Sequence, residues 1–359
     1  MSLIKLDIWP EESKHSQLLS YSNLRNIFDL KVLKRIKGRP IFNKLHINYD
    51  FFESRFVEIQ RRKNVLLLMM THIYPHNLKP PYIVLFHDTI PWEPKWAYGV
   101  DPDKTYKGLF GDNDAIIKMT LRATKVITPS FYSKNKIVSL FNSLNYDIKD
   151  KIEVIPNFVD RKIFYPIERE KSKKGNYKIL FVGTDNVRKN HINAIESLYL
   201  LKKIYKIDAE MTVVTAKRRR FQEIRNTIDI YSLNEKIKWL TFVELQQLVE
   251  MYRTYDLFLF PSYEEGFGIP IIEAQACGLP VVASNVSCIP EVAGKGALFV
   301  DPYDPSSIAE GIFRVLTDDE LRNSIVSEGF KNVNNYTEDK YIERIRNLVQ
   351  KVYEEMNMT

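Results

Sequence analysis

Short apolar runs recur along the chain with enough sequence between them for a helix. They occupy 65–70, 82–86, 125–128 and 152–155, then 178–182, 211–215, 236–240, 257–260 and 281–283. Short, mostly apolar runs of this length fit strands covered on both faces. Their alternation with helical patterns predicts a parallel sheet between helix layers, hence an α/β fold. Near the carboxyl end, Tyr341, Ile342, Ile345, Leu348, Val349 and Val352 recur at helical spacing, which predicts an amphipathic helix over 337–356 packed on the body.

Between the two sets of runs lies a segment, 166–176, that holds Glu168, Arg169, Glu170, Lys171, Lys173 and Lys174 and has almost nothing to bury. It reads as a linker. The expected organisation is an amino-terminal domain over 1–165, the linker, a second domain over 177–336 and a final helix over 337–359. Eight of the 13 glycines follow Asn176, so the tight turns concentrate in the second domain. A length of 359 residues agrees with two domains, since single cores stop growing at about 250–300 residues.

Composition narrows the class. With 45% hydrophobic and 27% charged residues the chain is globular, and disordered or collagen-like chains are excluded. The net charge of +7 favours anionic partners without ranking phosphorylated metabolites, acidic membranes and nucleic acid. Dispersed basic residues argue against a nucleic-acid module. Cys277 and Cys288 lack metal-ligand spacing, and no signal-peptide pattern opens the chain, so a reducing, cytoplasmic location is expected. The 65–70 run is far short of the roughly 20 residues that cross a bilayer, which leaves peripheral membrane contact as the expectation.

The most informative stretch follows the apolar run 257–260. Pro261 and Ser262 lead into Glu264, Glu265, Gly266, Phe267, Gly268, Ile269 and Pro270, then Glu273, Gly278 and Pro280. Pro270 suits a first helical turn and Gly278 with Pro280 suits its end, which predicts strand, glycine loop, short helix and strand. Ligands of open α/β sheets bind beyond the carboxyl ends of strands. A phosphate there meets free amides and the positive end of the helix dipole. Glu265 in the loop and Glu273, expected in the first helical turn, can then accept hydrogen bonds from sugar hydroxyls. The competing reading makes Glu273 a helix-stabilising acid and Glu265 a solvated one; the embedded Gly266, Gly268 and Pro270 favour the first.

A second constellation follows the run 178–182: Gly183, Thr184, Arg188, Lys189 and Asn190. Gly183 ends the strand and Asn190 is expected to cap the next helix, which places two cations where a diphosphate leaving group is stabilised. The third, His87 and Asp88, ends the run 82–86. It serves either a cleft or a structural hydrogen bond, and Trp92 beyond it can stack on a sugar acceptor. Asp101 with Asp103, Asp112 with Asp114, and the basic run 217–220 read as loop residues.

Together these residues resemble the retaining glycosyltransferases of family 4, whose GT-B architecture sets two Rossmann-like domains across a cleft. The Glu-x7-Glu signature at Glu265 and Glu273, the Arg188–Asn190 segment, Pro261 with Ser262, His87 with Asp88, and Thr128-Pro129-Ser130 carry the resemblance. It implies a hexose of mannose or glucose type moved from a nucleoside-diphosphate sugar to a glycan or lipid-linked acceptor, with no metal and no cofactor. Glu273 would hold the ribose and Glu265 the hexose hydroxyls. Lys189 and Arg188, with Gly183, Thr184 and the amides of Gly266, Phe267, Gly268 and Ile269, would bind the diphosphate. His87 would approach the donor sugar from the first domain, where Asp88 and Trp92 lie on the acceptor side, and the final helix would cross back to that domain. Glu265 is not assigned as a nucleophile. The chain departs from the family at the glycine-poor front, where the first glycine is Gly38, and at Thr184, where many members carry arginine. A nucleotide-sugar epimerase of the same architecture and a non-catalytic nucleotide-sugar-binding scaffold are the alternatives.

Overall fold

The computed structural model describes residues 67–69, 81–90, 113–168, 177–215, 221–241 and 243–358. Trp92, Asp101, Asp103, Asp112, the basic run 217–220 and residues 169–176 of the expected linker lie outside the described residues. The chain forms two compact units. One draws on Met1–Pro129, Lys134–Ile155 and Ile342–Thr359, the other on Ser130–Ser133 and Pro156–Tyr341.

In the first unit, β1 (Leu67–Met69), β2 (Tyr82–Leu85), β3 (Lys125–Thr128) and β4 (Ile152–Val154) pair in that order, all parallel. Helices α1 (Asn113–Arg122) and α2 (Phe131–Ser143) flank β3 in the sequence. Tyr82, Val84, Val126, Met119, Ile137 and Phe141 belong to one buried cluster, with the Tyr82 hydroxyl donating to the Met119 carbonyl at 2.6 Å. That bond removes the penalty of burying the phenol.

The second unit alternates strand and helix throughout: β5 (Tyr177–Val182), α3 (His191–Tyr205), β6 (Ala209–Thr215), α4 (Phe221–Ile230), β7 (Ile237–Thr241), α5 (Leu245–Thr254), β8 (Leu257–Phe260), α6 (Ile269–Ala276), β9 (Val281–Ser284), α7 (Ile289–Ala293) and β10 (Leu298–Val300). Helices α8 (Pro305–Thr317), α9 (Asp319–Asn332) and α10 (Glu338–Met358) complete the chain. The strands lie in the order β10-β9-β8-β5-β6-β7, all parallel. Read from β7, this is the 3-2-1-4-5-6 order of a doubly wound sheet, with its switch point between β5 and β8.

Side chains alternate between two buried layers. Leu180, Phe258, Phe260, Val281 and Ala283 enter one, while Ile179, Phe181, Leu257, Leu259 and Val282 enter the other. This two-sided burial is why the runs of β5, β8 and β9 lack polar alternation. The pattern did not reveal β10, a three-residue strand preceded by Gly294 and Gly296 that, among the described residues, pairs with β9 at the edge of the sheet.

Candidate active site

The switch point brings together two loops from distant parts of the sequence, one after β5 and one after β8. After β5, Gly183 closes the strand with its amide on the Val214 carbonyl at 3.0 Å. A Cβ on Gly183 would meet the Lys189 stem at 3.2 Å, so the absence of a side chain lets that stem fold back over the strand end. Asn186 Oδ1 accepts the Arg188 amide at 3.0 Å and caps a short 3-10 turn, Val187–Lys189. That turn fixes the direction of both basic side chains, while Thr184 is exposed.

After β8, the loop reaches α6 through Gly268, whose φ of 93° lies in the left-handed region that glycine enters without strain. Pro270 occupies the first turn, as predicted, and the helix stops at Ala276, just before Gly278. The carbonyls of this loop are taken up one by one. Ser130 Oγ donates to the Gly266 carbonyl at 2.7 Å and Ser133 Oγ at 3.0 Å. Cys288 Sγ lies 3.1 Å from the Glu265 carbonyl and 3.3 Å from that of Phe267. A trans peptide points its N–H opposite to its C=O, so the amides of Gly266, Phe267 and Gly268 turn away from these partners. At the start of α6, Pro270 has no amide hydrogen and the Ile271 amide donates to the Gly268 carbonyl at 3.0 Å.

The two loops meet through charge. Lys189 Nζ donates to Glu265 Oε1 at 2.5 Å, and Arg188 lies 2.6 Å from Glu265 Oε2. The Arg188 guanidinium also donates to the Glu264 carbonyl at 2.9 Å, and its own carbonyl accepts the Tyr263 amide at 2.8 Å. Tyr132 donates to Glu264 Oε1 at 2.6 Å. Burial raises the Glu265 carboxyl, but the Arg188 and Lys189 charges outweigh it and hold the pKa at about 2. For Lys189 burial wins, and its pKa falls despite the Glu265 carboxylate.

Glu273 has a different environment. It is the fifth residue of α6, one turn deeper than the first-turn position expected, and its Oε2 accepts the Tyr252 hydroxyl at 3.0 Å. Burial pushes its pKa up to about 7 against the lowering effect of that bond. The two glutamates share a loop and helix in sequence, yet one is a fixed anion and the other titrates near neutrality.

A second expectation also needs correction. Asn190 precedes α3 but makes no side-chain cap bond; it adopts the left-handed conformation, φ 61° and ψ 44°. Its Nδ2 donates to the carbonyls of Pro261 at 2.9 Å and Pro302 at 2.7 Å, so it ties together the loops after β8 and β10. Asn193 reinforces the tie, donating to the Pro302 carbonyl and the Tyr263 hydroxyl, both at 2.9 Å.

In the first unit, His87 and Asp88 follow the carboxyl end of β2, as predicted, and both are half-buried. Asp88 Oδ1 accepts the Ile90 amide at 3.0 Å, a turn-forming role. Sequence reasoning assigned no role to Tyr252, Ser130, Ser133 or Cys288. Tyr252 carried a usable signal, a hydroxyl on the otherwise apolar face formed by Leu248 and Val249 of α5. Ser130 sits in the Thr128-Pro129-Ser130 segment already singled out, and nothing local marks Cys288. Among the described residues, no group of three or more histidine, cysteine, aspartate or glutamate side chains is arranged to hold a metal ion, and no helix is long and apolar enough to cross a membrane.

A family model described as glycosyl transferases group 1 matches residues 166–332. The chain is 27% identical over 218 residues to O-antigen chain mannosyltransferase B of Escherichia coli, covering 60% of this chain and 57% of that protein. It spans about half the length of the mannosyltransferase relatives it matches. An uncharacterized glycosyltransferase of Methanocaldococcus jannaschii is 30% identical over 347 residues, covering 85% of this chain and 83% of that protein. Among solved structures, sucrose-phosphate synthase from Thermosynechococcus elongatus is similar with a TM-score of 0.73 and 16% identity, over 98% of this chain and 99% of that one. That likeness is one of fold, two Rossmann-like α/β domains with parallel sheets.

Proposed function

The chain belongs to the glycosyl transferases group 1 family, and on that premise we propose that it is a retaining hexosyltransferase. It moves a hexose of mannose or glucose type from a nucleoside-diphosphate sugar to a hydroxyl of a glycan or lipid-linked acceptor. The mannosyltransferase relatives favour mannose and polysaccharide biosynthesis. Peripheral association with the cytosolic membrane face belongs to the same proposal.

One observation carries the reading: the Arg188 and Lys189 side chains meet the glycine loop that precedes α6 at the switch point, where a doubly wound sheet binds its ligand. Lys189 and Arg188 bind the diphosphate with the amides of Gly266, Phe267, Gly268 and Ile269. Glu265 contacts the hexose hydroxyls, and Glu273 accepts from the ribose. Gly183 and Thr184 border the diphosphate. His87 is assigned the catalytic role of approaching the donor sugar, and Asp88 and Trp92 are assigned to the acceptor side.

In the reaction, the bond from the anomeric carbon to the diphosphate oxygen breaks and the leaving diphosphate keeps the electron pair. The acceptor oxygen forms the new bond on the same face and gives up its proton. The charge that develops on the diphosphate is what Lys189 and Arg188 stabilise, so the site calls for no metal.

The test is thermal stabilisation by UDP, GDP, ADP and dTDP, each with EDTA, beside a Glu273→Ala control. A ligand at 100 times its dissociation constant adds about 2.7 kcal/mol. One base should stabilise the protein and lose its effect in the control. Transfer from the matching sugar nucleotide, with the anomeric configuration read by NMR, then completes the assignment. No stabilisation by any nucleotide overturns it, and donor conversion without an acceptor points to an epimerase.

A further inference from the structure

The Glu265 carboxylate already occupies the cations proposed to receive the donor. Its Oε1 takes Lys189 and its Oε2 takes Arg188, one oxygen to each, as two oxygens of a phosphate group would. We propose that Glu265 is the resident counter-ion of the anion site, so that donor binding exchanges the Glu265 carboxylate for the diphosphate and releases Glu265 to the sugar hydroxyls. The inference rests on the transferase reading for the identity of the incoming anion.

Three features carry it. The first is charge. Lys189 and Arg188 both lie on the one Glu265 carboxylate, and the side chains of Lys189, Glu265 and Arg188 are only 10%, 7% and 20% exposed. A diphosphate cannot share such a site with a charged carboxylate between the same two cations, because like charges repel strongly where water is scarce. One anion must leave as the other enters.

The second is what can move. The backbone carbonyls of Glu265 and Gly266 are held by Cys288, Ser130 and Ser133. Lys189 is braced by Gly183 and by the Phe260 ring, 5.0 Å from its Nζ, and Arg188 by the Glu264 carbonyl. Beyond its Cα, the Glu265 side chain is the part that must rotate if the loop is to keep its place.

The third is the place it rotates to. Glu265 lies four residues before Ile269, the first residue of α6, with its carboxylate on both cations. Once displaced it remains at the mouth of the same site, beside whatever is attached to the diphosphate.

The experiment measures calorimetric affinity of the full-length protein for inorganic pyrophosphate, comparing wild type with Glu265→Gln and Glu265→Asp. Exchange predicts that Glu265→Gln binds pyrophosphate at least tenfold more tightly, because no resident anion competes, while its ligand-free melting temperature falls. Glu265→Asp, too short to span both cations, should also bind more tightly than wild type, and it decides the matter if Glu265→Gln does not fold. Equal or weaker pyrophosphate affinity in the folded variants overturns the proposal. Should wild type transfer sugar while the variants bind no more tightly, exchange is wrong and the transferase reading stands. Tighter pyrophosphate binding in the variants, with no sugar nucleotide turned over by wild type, leaves exchange standing and removes the transferase.

Discussion

The Tyr252 hydroxyl donates to Glu273 Oε2 at 3.0 Å across the packed interior of the second unit, from the buried face of α5 to α6. Burial is the larger influence on Glu273 and lifts its pKa from 4.5 to about 7. Between those values the native state binds a proton that the unfolded chain has lost, so stability falls as pH rises through the window and stays low above it. The difference amounts to about 3 kcal/mol. Glu273→Gln, neutral at every pH, should therefore gain stability over wild type at pH 8 and little at pH 5. Urea unfolding at the two pH values measures this, and an equal gap at both contradicts it.

Lys189→Ala removes one of the two cations and leaves Glu265 on Arg188. The chain should remain folded, since Arg188 still neutralises the buried carboxylate. Nucleoside-diphosphate affinity should fall about 10- to 100-fold, the loss of roughly 1.4–2.7 kcal/mol expected for a charge-assisted contact. Calorimetric titration of the variant with the preferred nucleotide decides it; unchanged affinity takes Lys189 out of the site.

Ser130 and Ser133 both donate to the Gly266 carbonyl, and Ser130 Oγ also accepts the Ser133 amide at 3.0 Å at the start of α2. Ser133→Ala should cost less than about 1 kcal/mol, because the carbonyl keeps its other donor. Ser130→Ala should cost more, since the helix loses its cap as well. The double substitution strands the carbonyl and should exceed the sum of the single effects, which chemical denaturation of all three variants reads directly.

Gly268→Ala places a Cβ in the left-handed region, with φ at 93° and the Ile271 side chain 3.2 Å away. A loss of about 1–2 kcal/mol in unfolding free energy is expected. Nucleotide affinity should fall with it, because the loop and the amide row share that residue. A variant as stable as wild type would mean that the turn reshapes at no cost.

The parts legible in sequence were those set by local pattern. Apolar runs located β2, β3, β5, β6 and β8 almost to the residue, because strands buried on both faces leave no room for polar positions. Glycine and proline located the turn into α6, since Gly268 and Pro270 are the residues its backbone demands. What pattern could not supply was pairing across the fold. Asn190 is as good a helix cap in sequence as it is a bridge, and its partner Pro302 lies 112 positions away. The neutral-range titration of Glu273 comes from burial within the fold, against the opposing bond from a hydroxyl on another helix, and the restraint of the Gly266 loop comes from serines more than 130 positions upstream.

The pairing of β5 with β8, Ile179 opposite Leu257, makes the anion site a late acquisition in the life of the molecule. Neighbouring strands such as β5 and β6 can associate as soon as their connecting helix forms, whereas the switch point waits for a contact that closes a much longer stretch of chain. A nascent chain that has left the ribosome only as far as β7 holds Lys189 and Arg188 with neither Glu265 nor the α6 amides opposite them. On the proposed function, the capacity to hold a nucleotide arrives with completion of the sheet, and nucleotide present during synthesis can favour only chains that have already closed it.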